Sequence, residues 1–236
     1  MRVVSIVPSL TEAVALTAPS LLAGATDYCT HPAGLDVPRV GGSKYPDLPA
    51  VLALKPDLVL MNEEENRLSD AEALRAAGVA VHVTFPLTVD QALAQLSELM
   101  QLLGHPDPAW LADARRAWAD LPDLPRREAV IPVWRRPWIV LGSGTFAGDV
   151  LDRLGITNVF GTSPERYPRP ALGEMTAPLI VFPDEPYLFT LNDGPECFPS
   201  TPYVLVSGRH LTWHGPSLAQ APRVLAEQLL SVRDRS

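Results

Sequence analysis

The sequence predicts an α/β fold built on parallel sheets, and three observations carry that prediction. Short aliphatic or β-branched runs alternate with segments of helical periodicity, the connections between them are short, and helix-start signals follow several of the runs. Parallel strands need crossover connections, and helical crossovers cover both faces of the sheet. Val3 to Val7 reads as the first strand, followed by Ser9-Leu10-Thr11-Glu12 as a capping box that opens an apolar helix. Leu21 to Ala25 is a second apolar run, Asp47 to Leu54 has helical spacing, and Asp57 to Met61 is a buried-strand candidate that ends at a polar cluster. Ser69-Asp70-Ala71-Glu72 is a second capping box; Gly78 closes its helix and Val79 to Val83 supplies the next strand. Thr88 to Leu103 reads as a helix stopped by Gly104.

Asp107-Pro108 then looks like an N-cap with proline at the first helical position, and Leu111, Ala114, Trp118 and Leu121 share one face. At about 1.5 Å per residue this helix is roughly 20 Å long. Beyond the proline-rich break at Pro122 to Pro125, Ala129 to Val133, Trp138 to Leu141, Leu179 to Phe182 and Tyr203 to Val206 read as strands. Phe146 to Leu154 and Pro222 to Val232 read as helices, completing a second α/β lobe. The expected organisation is an N-terminal lobe over residues 1–104, a connecting helix over 105–126 and a C-terminal lobe over 127–236. A chain of 236 residues accommodates two such lobes of roughly 100 residues each.

Composition narrows the function classes. The formal net charge of −8 repels a phosphate backbone, so nucleic acid is not an expected partner. No apolar run reaches the length that spans a bilayer, so the chain is not expected to cross a membrane, and a monomer is expected. The two cysteines, Cys29 and Cys197, form no CxxC pair; spacing leaves open whether they bond to each other. Arg2-Val3-Val4 enters a strand directly. The chain is therefore expected to be cytoplasmic if Met1 is its native start, and periplasmic or cell-surface if a leader has been removed.

Ligands of open parallel sheets sit beyond the carboxyl ends of the strands. Ser9, Asp27 to His31 and Asn62 to Arg67 all follow expected strands and so belong to one rim. Tyr28, His31 and Tyr45 add aromatic faces there, and Asn62, Glu65, Asn66 and Arg67 add polar partners. The second lobe contributes Trp134, Arg135, Tyr187, Trp213 and His214 from loop segments. Arg135 and Arg136 carry the forked donors that clamp a carboxylate or phosphate. His31 or His214 is a candidate metal ligand, with Cys29 as a soft neighbour of His31 if its thiol ionises. His210 and His214 have helical i, i+4 spacing, but Gly208, Gly215 and Pro216 favour a loop.

Catalytic signatures are sparse: Gly142-Ser143-Gly144 falls short of a nucleophile elbow, and HExxH and the phosphate loop are absent. The nearest hydrolase reading pairs Ser143 with His210 or His214 and Asp184.

Three strings resemble one family: the opening RVVSIVPSLTEAV, the segment VGGSKYPDLPAVLALKPDLVL over 40–60, and NEEENR after it. They look like the binding proteins of ABC importers that carry cobalamin, ferric siderophores or haem, with cobalamin-binding members most similar. The resemblance implies two small parallel-sheet α/β lobes joined by a single rigid helix, with a ligand cleft between them. It also implies no intrinsic cofactor, cobalamin or another metal chelate as ligand, and delivery to an ABC permease. Glu64 and Glu196 are the positions regionally matched to the family's permease-docking acids, and Asn62 stands where cobalamin receptors often carry a stacking tryptophan. A non-enzymatic receptor is therefore expected. The alternatives are a cytoplasmic carrier or sensor of the same fold, and a corrinoid- or tetrapyrrole-handling enzyme.

Overall fold

The computed structural model describes residues 1–233. The chain forms two compact units. Residues 1–86, 92–112 and 214–216 make the first, and residues 87–91, 113–213 and 217 onward make the second.

The first unit contains β1 (Val3–Ser5), α1 (Pro8–Thr17), β2 (Leu22–Ala25), α2 (Leu48–Ala53), β3 (Leu58–Asn62), α3 (Leu68–Ala76) and β4 (Ala80–Thr84), with most of α4 (Val89–Leu102). Its sheet runs β2-β1-β3-β4 and every pairing is parallel. Strands β1 and β3 are buried along their whole length, as expected of central strands covered on both faces. Strand β4 lies at the edge and buries only Thr84 fully. Val4, Ile6, Val40, Val51, Val59, Met61 and Leu74 form one apolar cluster of this unit.

Two helix starts differ from the sequence expectation. Helix α1 begins at Pro8 with Val7 in the cap position and no side-chain cap, so Ser9 lies inside the first turn instead of capping it. A proline at the first position has its φ preset for the helix and lacks the N–H that a cap would satisfy. Helix α3 begins at Leu68 after Arg67, and Asp70 pairs with Arg67 instead of joining a capping box. Asp47 does cap α2, accepting from the Ala50 amide at 3.0 Å. Gly78 and Gly104, at φ of 83° and 79°, close α3 and α4 in the left-handed conformation that glycine adopts without penalty.

The helix expected near residues 107–121 is α5 (Ala109–Ala119), and the boundary between the units falls within it, after Ala112. The second unit continues with β5 (Arg127–Val130), β6 (Pro132–Trp134), β7 (Ile139–Val140), α6 (Phe146–Arg153), β8 (Ile156–Asn158), β9 (Leu179–Pro183), β10 (Tyr203–Val206), α7 (Gly208–Thr212) and α8 (Ala221–Leu230). Its main sheet is parallel, ordered β10-β9-β5-β8, and β6 and β7 form a separate antiparallel pair. The single strand expected over Ala129 to Val133 is thus two. Pro132 has no N–H for a continuing ladder, and the chain turns to a new partner there. An aromatic group, with Phe182 centred 5.0 Å from Phe189 and 5.8 Å from Phe198, fills one side of this unit.

Candidate ligand-binding site

The carboxyl ends of the first unit's strands lead into Ile6 to Pro8, Thr26 to His31, Glu63 to Arg67 and Phe85. Tyr28 and Tyr45 stand out on this rim, being 66% and 69% exposed, whereas large aromatic side chains elsewhere in the fold are mostly packed. Both flank Gly42: a β-carbon at that position would lie 3.5 Å from the Tyr28 ring and 3.9 Å from the Tyr45 carbonyl oxygen. The Arg67 guanidinium sits 4.8 Å from the centre of the Tyr45 ring. Asp70, with its side chain only 4% exposed, holds that guanidinium through two bonds of 2.9 and 2.7 Å. Tyr45, Arg67 and Asp70 therefore make an ordered stack whose aromatic end faces solvent. Asp70 comes ahead of all other causes in raising the Arg67 pKa above its ordinary value.

Below the stack lies a buried amide relay. Asn66 donates to the Ser43 carbonyl at 2.9 Å and to the Ile6 carbonyl at 3.4 Å, while its own carbonyl accepts from the Asn62 amide at 2.7 Å. Asn62 donates to the Thr84 carbonyl at 3.0 Å, and its Oδ1 accepts from the Glu64 amide at 2.9 Å. Both asparagines were expected to face a ligand; both are instead turned inward and at most 7% exposed. Leaving such amides unpaired in the interior would cost several kilocalories, so the folded chain spends them on its own loops.

His214 belongs to this first unit. Its Nε2 lies 3.2 Å from Thr84 Oγ1 and 3.4 Å from Asn62 Nδ2, and desolvation pushes its pKa down from 6.5 to about 4. The ring is neutral at physiological pH and 5% exposed, a placement for which loop composition gave no hint. Ser9 is also buried, and it packs against Gly215, where a β-carbon would fall 2.6 Å from the Ser9 carbonyl oxygen. Cys29 is fully buried, its thiol 3.0 Å from Thr11 Oγ1 and 3.1 Å from Thr26 Oγ1. Burial raises its pKa, so the soft thiolate partner considered for His31 is not on offer. His31 itself is half-buried, with Nδ1 3.2 Å from Thr30 Oγ1.

Arg39, which the sequence reading did not single out, staples this rim. It donates to the Thr26, Cys29 and Leu35 carbonyls at 2.8, 2.9 and 3.0 Å. Its role depends on carbonyls up to 13 residues away, which no local spacing rule reveals.

In the second unit, Trp134 is 42% exposed and meets Tyr187 edge-on at 5.6 Å. The Tyr187 hydroxyl donates to Asp193 at 2.7 Å and, with Arg135 beside it, holds that carboxyl below the usual range. Arg135 was expected to clamp a ligand anion. Its side chain is 13% exposed and is already paired with Asp193 and Glu196, with Cys197 Sγ 3.2 Å from Nη2. The guanidinium also lies 5.4 Å over the Trp138 ring. Cys29 and Cys197 are both free thiols, which answers the disulfide question. Trp213 is half-buried, donating to Glu185 at 2.9 Å beneath the Arg209 guanidinium at 5.4 Å. Burial pushes Glu185 above its ordinary pKa, against the opposing hydrogen bond from Trp213. Glu64 and Glu65 are half-buried at the first rim, and the Glu196 side chain is 44% exposed.

The residues of the hydrolase reading are engaged elsewhere. Ser143 donates to the Ser163 carbonyl at 2.6 Å and Asp184 accepts from the Gly208 amide at 2.6 Å. His210, on the short helix α7 where a loop was expected, has Nδ1 2.8 Å from Ser207 Oγ, the residue that caps that helix. Among the described residues, no three His, Cys, Asp or Glu side chains are grouped to hold a metal ion, and no helix is long and apolar enough to cross a membrane.

The chain is similar in sequence and fold to several known proteins. The vitamin B12-binding protein of Photorhabdus laumondii is 27% identical over 177 residues, which cover 72% of this chain and 64% of that protein, just under two thirds of its length. The vitamin B12-binding protein of Vibrio cholerae is 24% identical over 194 residues, 78% of this chain and 70% of the relative. Among solved structures, the periplasmic heme-binding protein of Roseiflexus sp. RS-1 superposes with a TM-score of 0.78 at 20% identity, covering 96% of this chain and 97% of that one. The periplasmic vitamin B12-binding protein of Vibrio cholerae gives 0.77 at 19% identity, covering 97% and 96%. These likenesses carry the fold. Residues 3–177 match the family model of the periplasmic binding proteins, and with two parallel-sheet units of this order the chain belongs to that family.

Proposed function

We propose that this chain is a non-enzymatic receptor for a chelated-metal compound of the corrinoid or porphyrin class, exported and serving an ABC importer. The observation that carries the reading is the pair of tyrosines, Tyr28 and Tyr45, held two-thirds exposed on the same rim. A flat conjugated macrocycle supplies the apolar face such rings lack, and Arg67 over Tyr45 extends the stacking surface. The names of the relatives agree with that ligand class. In the second unit, Trp134 is exposed beside Tyr187 and is that unit's own candidate stacking surface. In the first unit ligand contact falls to Tyr28, His31, Tyr45 and Arg67, on loops that Asn62, Asn66 and His214 hold, whereas Arg135 of the second unit holds Asp193 and Glu196.

Glu64 and Glu196 are proposed to meet the permease. Replacement of Glu64 by Arg is expected to leave ligand affinity unchanged and to abolish uptake in cells carrying the cognate permease; uptake at the wild-type rate would remove that assignment. The receptor reading is tested by incubating the protein with cyanocobalamin, cobinamide, haem or a ferric siderophore, removing excess by gel filtration and analysing what is retained. Cyanocobalamin, cobinamide or haem is expected to co-elute and to be recovered chemically unchanged; retention of the ferric siderophore alone would contradict the macrocycle class. Conversion of the retained compound would make the protein an enzyme.

A further inference from the structure

Residues 214–216 lie far along the chain from the first unit's strands yet pack within that unit. We infer that this segment is a clasp that positions the ligand-facing loops, with His214 acting through Asn62 and not as a metal ligand.

The contacts form one connected path. His214 Nε2 reaches the ends of two adjacent strands, Thr84 of β4 and Asn62 of β3. Asn62 then fixes the Glu64 amide, and Asn66, which accepts from the Asn62 amide, holds the Ser43 carbonyl two residues before Tyr45. Arg67, the other half of the Tyr45 stack, is the residue after Asn66. On its other side the clasp closes against α1: Gly215 approaches Ser9 so closely that a β-carbon would be 2.6 Å from its carbonyl oxygen. Glycine is therefore required at 215 for backbone to meet backbone. A metal ligand for an external macrocycle needs an imidazole nitrogen open to the ligand. Nε2 of His214 is instead occupied inside the protein, and the ring is 5% exposed. The neutral imidazole offers a polar atom at a depth where a charged side chain would be expelled.

The inference rests on the receptor reading for its functional half only, and the test separates the two. His214→Leu keeps bulk and removes the polar atom, whereas His214→Gln restores a donor and an acceptor near the position of Nε2. In the apo-protein, amide hydrogen exchange at Asn62, Glu64 and Asn66 should speed up about tenfold in the Leu variant, the loss of roughly one hydrogen bond, and return close to wild type in the Gln variant. Unchanged exchange in the Leu variant would overturn the clasp whether or not a ligand is known. With cyanocobalamin and haem as probes, the Leu variant should bind about tenfold more weakly and the Gln variant nearly as tightly as wild type, with the wild-type absorbance spectrum of the complex. If the Gln variant protects its amides but loses the spectrum of bound haem, His214 is an iron ligand and the inference is wrong. If wild type binds neither probe, the receptor reading loses its support, and the exchange data still decide the clasp.

Discussion

Acidification should destabilise this protein through His214, by an amount the structure sets. Burial depresses the folded-state pKa from 6.5 to about 4, so the unfolded chain takes up a proton more readily than the folded one throughout that interval. The stabilisation is complete above pH 6.5, shrinks as pH falls through the window, and levels off below about 4. Its full size is about 3 kcal/mol, with a steepest slope of about 1.4 kcal/mol per pH unit, a large share of a typical folding free energy. Other groups titrate as well. Glu185, raised by burial, acts in the opposite sense, and half-buried His82, lowered by burial, acts in the same sense. Comparing wild type with His214→Gln by urea unfolding at several pH values from 8 to 4.5 cancels both. The wild-type advantage should fall by about 2 to 3 kcal/mol across that range, mostly between pH 6.5 and 4.5. A difference that stays flat would show that the imidazole is solvated or charge-paired in the fold, and the reasoning would fail.

Other perturbations address other parts of the account. Asp70→Ala removes two charge-assisted bonds from Arg67 and should lower stability slightly while weakening macrocycle binding, because the guanidinium loses its station over Tyr45; calorimetry of both properties checks this. Gly142→Ala drives a methyl group into the Glu165 carbonyl oxygen and should lower stability by at least about 2 kcal/mol, read as a fall in Tm; an unchanged Tm would show that the 163–168 loop gives way freely. In native protein, a thiol reagent should label Cys197 slowly and Cys29 only after denaturation, since Cys29 is fully buried; two thiols reacting at the same rate would contradict the packing around Thr11 and Thr26.

Much of the fold was legible because strand and helix periods are local. The runs at Val3, Leu58 and Tyr203 mark strands, and Gly78 and Gly104 mark helix ends, without reference to distant residues. Capping was less legible. Ser9-x-x-Glu12 and Ser69-x-x-Glu72 satisfy the capping pattern, yet Pro8 and the Arg67–Asp70 pair shift each start by a residue or more. Strand β8 and helix α7 escaped notice because each is five residues or shorter, too brief to show a period. At the rim, composition drew attention to Tyr28, Tyr45 and Arg67, and the structure shows both tyrosines exposed and Arg67 stacked on Tyr45. Composition could not tell an asparagine aimed at solvent from one spent on buried carbonyls, nor place His214 beside Thr84 across 130 residues of chain. Arg135 shows the same limit: two arginines in a loop look like an anion clamp until Asp193 and Glu196, about sixty residues later, are seen to neutralise one of them.

The measurement that bears most directly on the receptor reading is calorimetric titration of the apo-protein with cyanocobalamin, cobinamide, haem and a ferric siderophore, alongside a Tyr28→Ala, Tyr45→Ala double variant. Saturable binding of one macrocycle is expected, weakened in the double variant by about tenfold or more, as loss of aromatic stacking implies. Absence of binding to all four compounds would contradict the assignment of this rim to a chelated-metal ligand, and undiminished binding in the double variant would move the site away from the tyrosines.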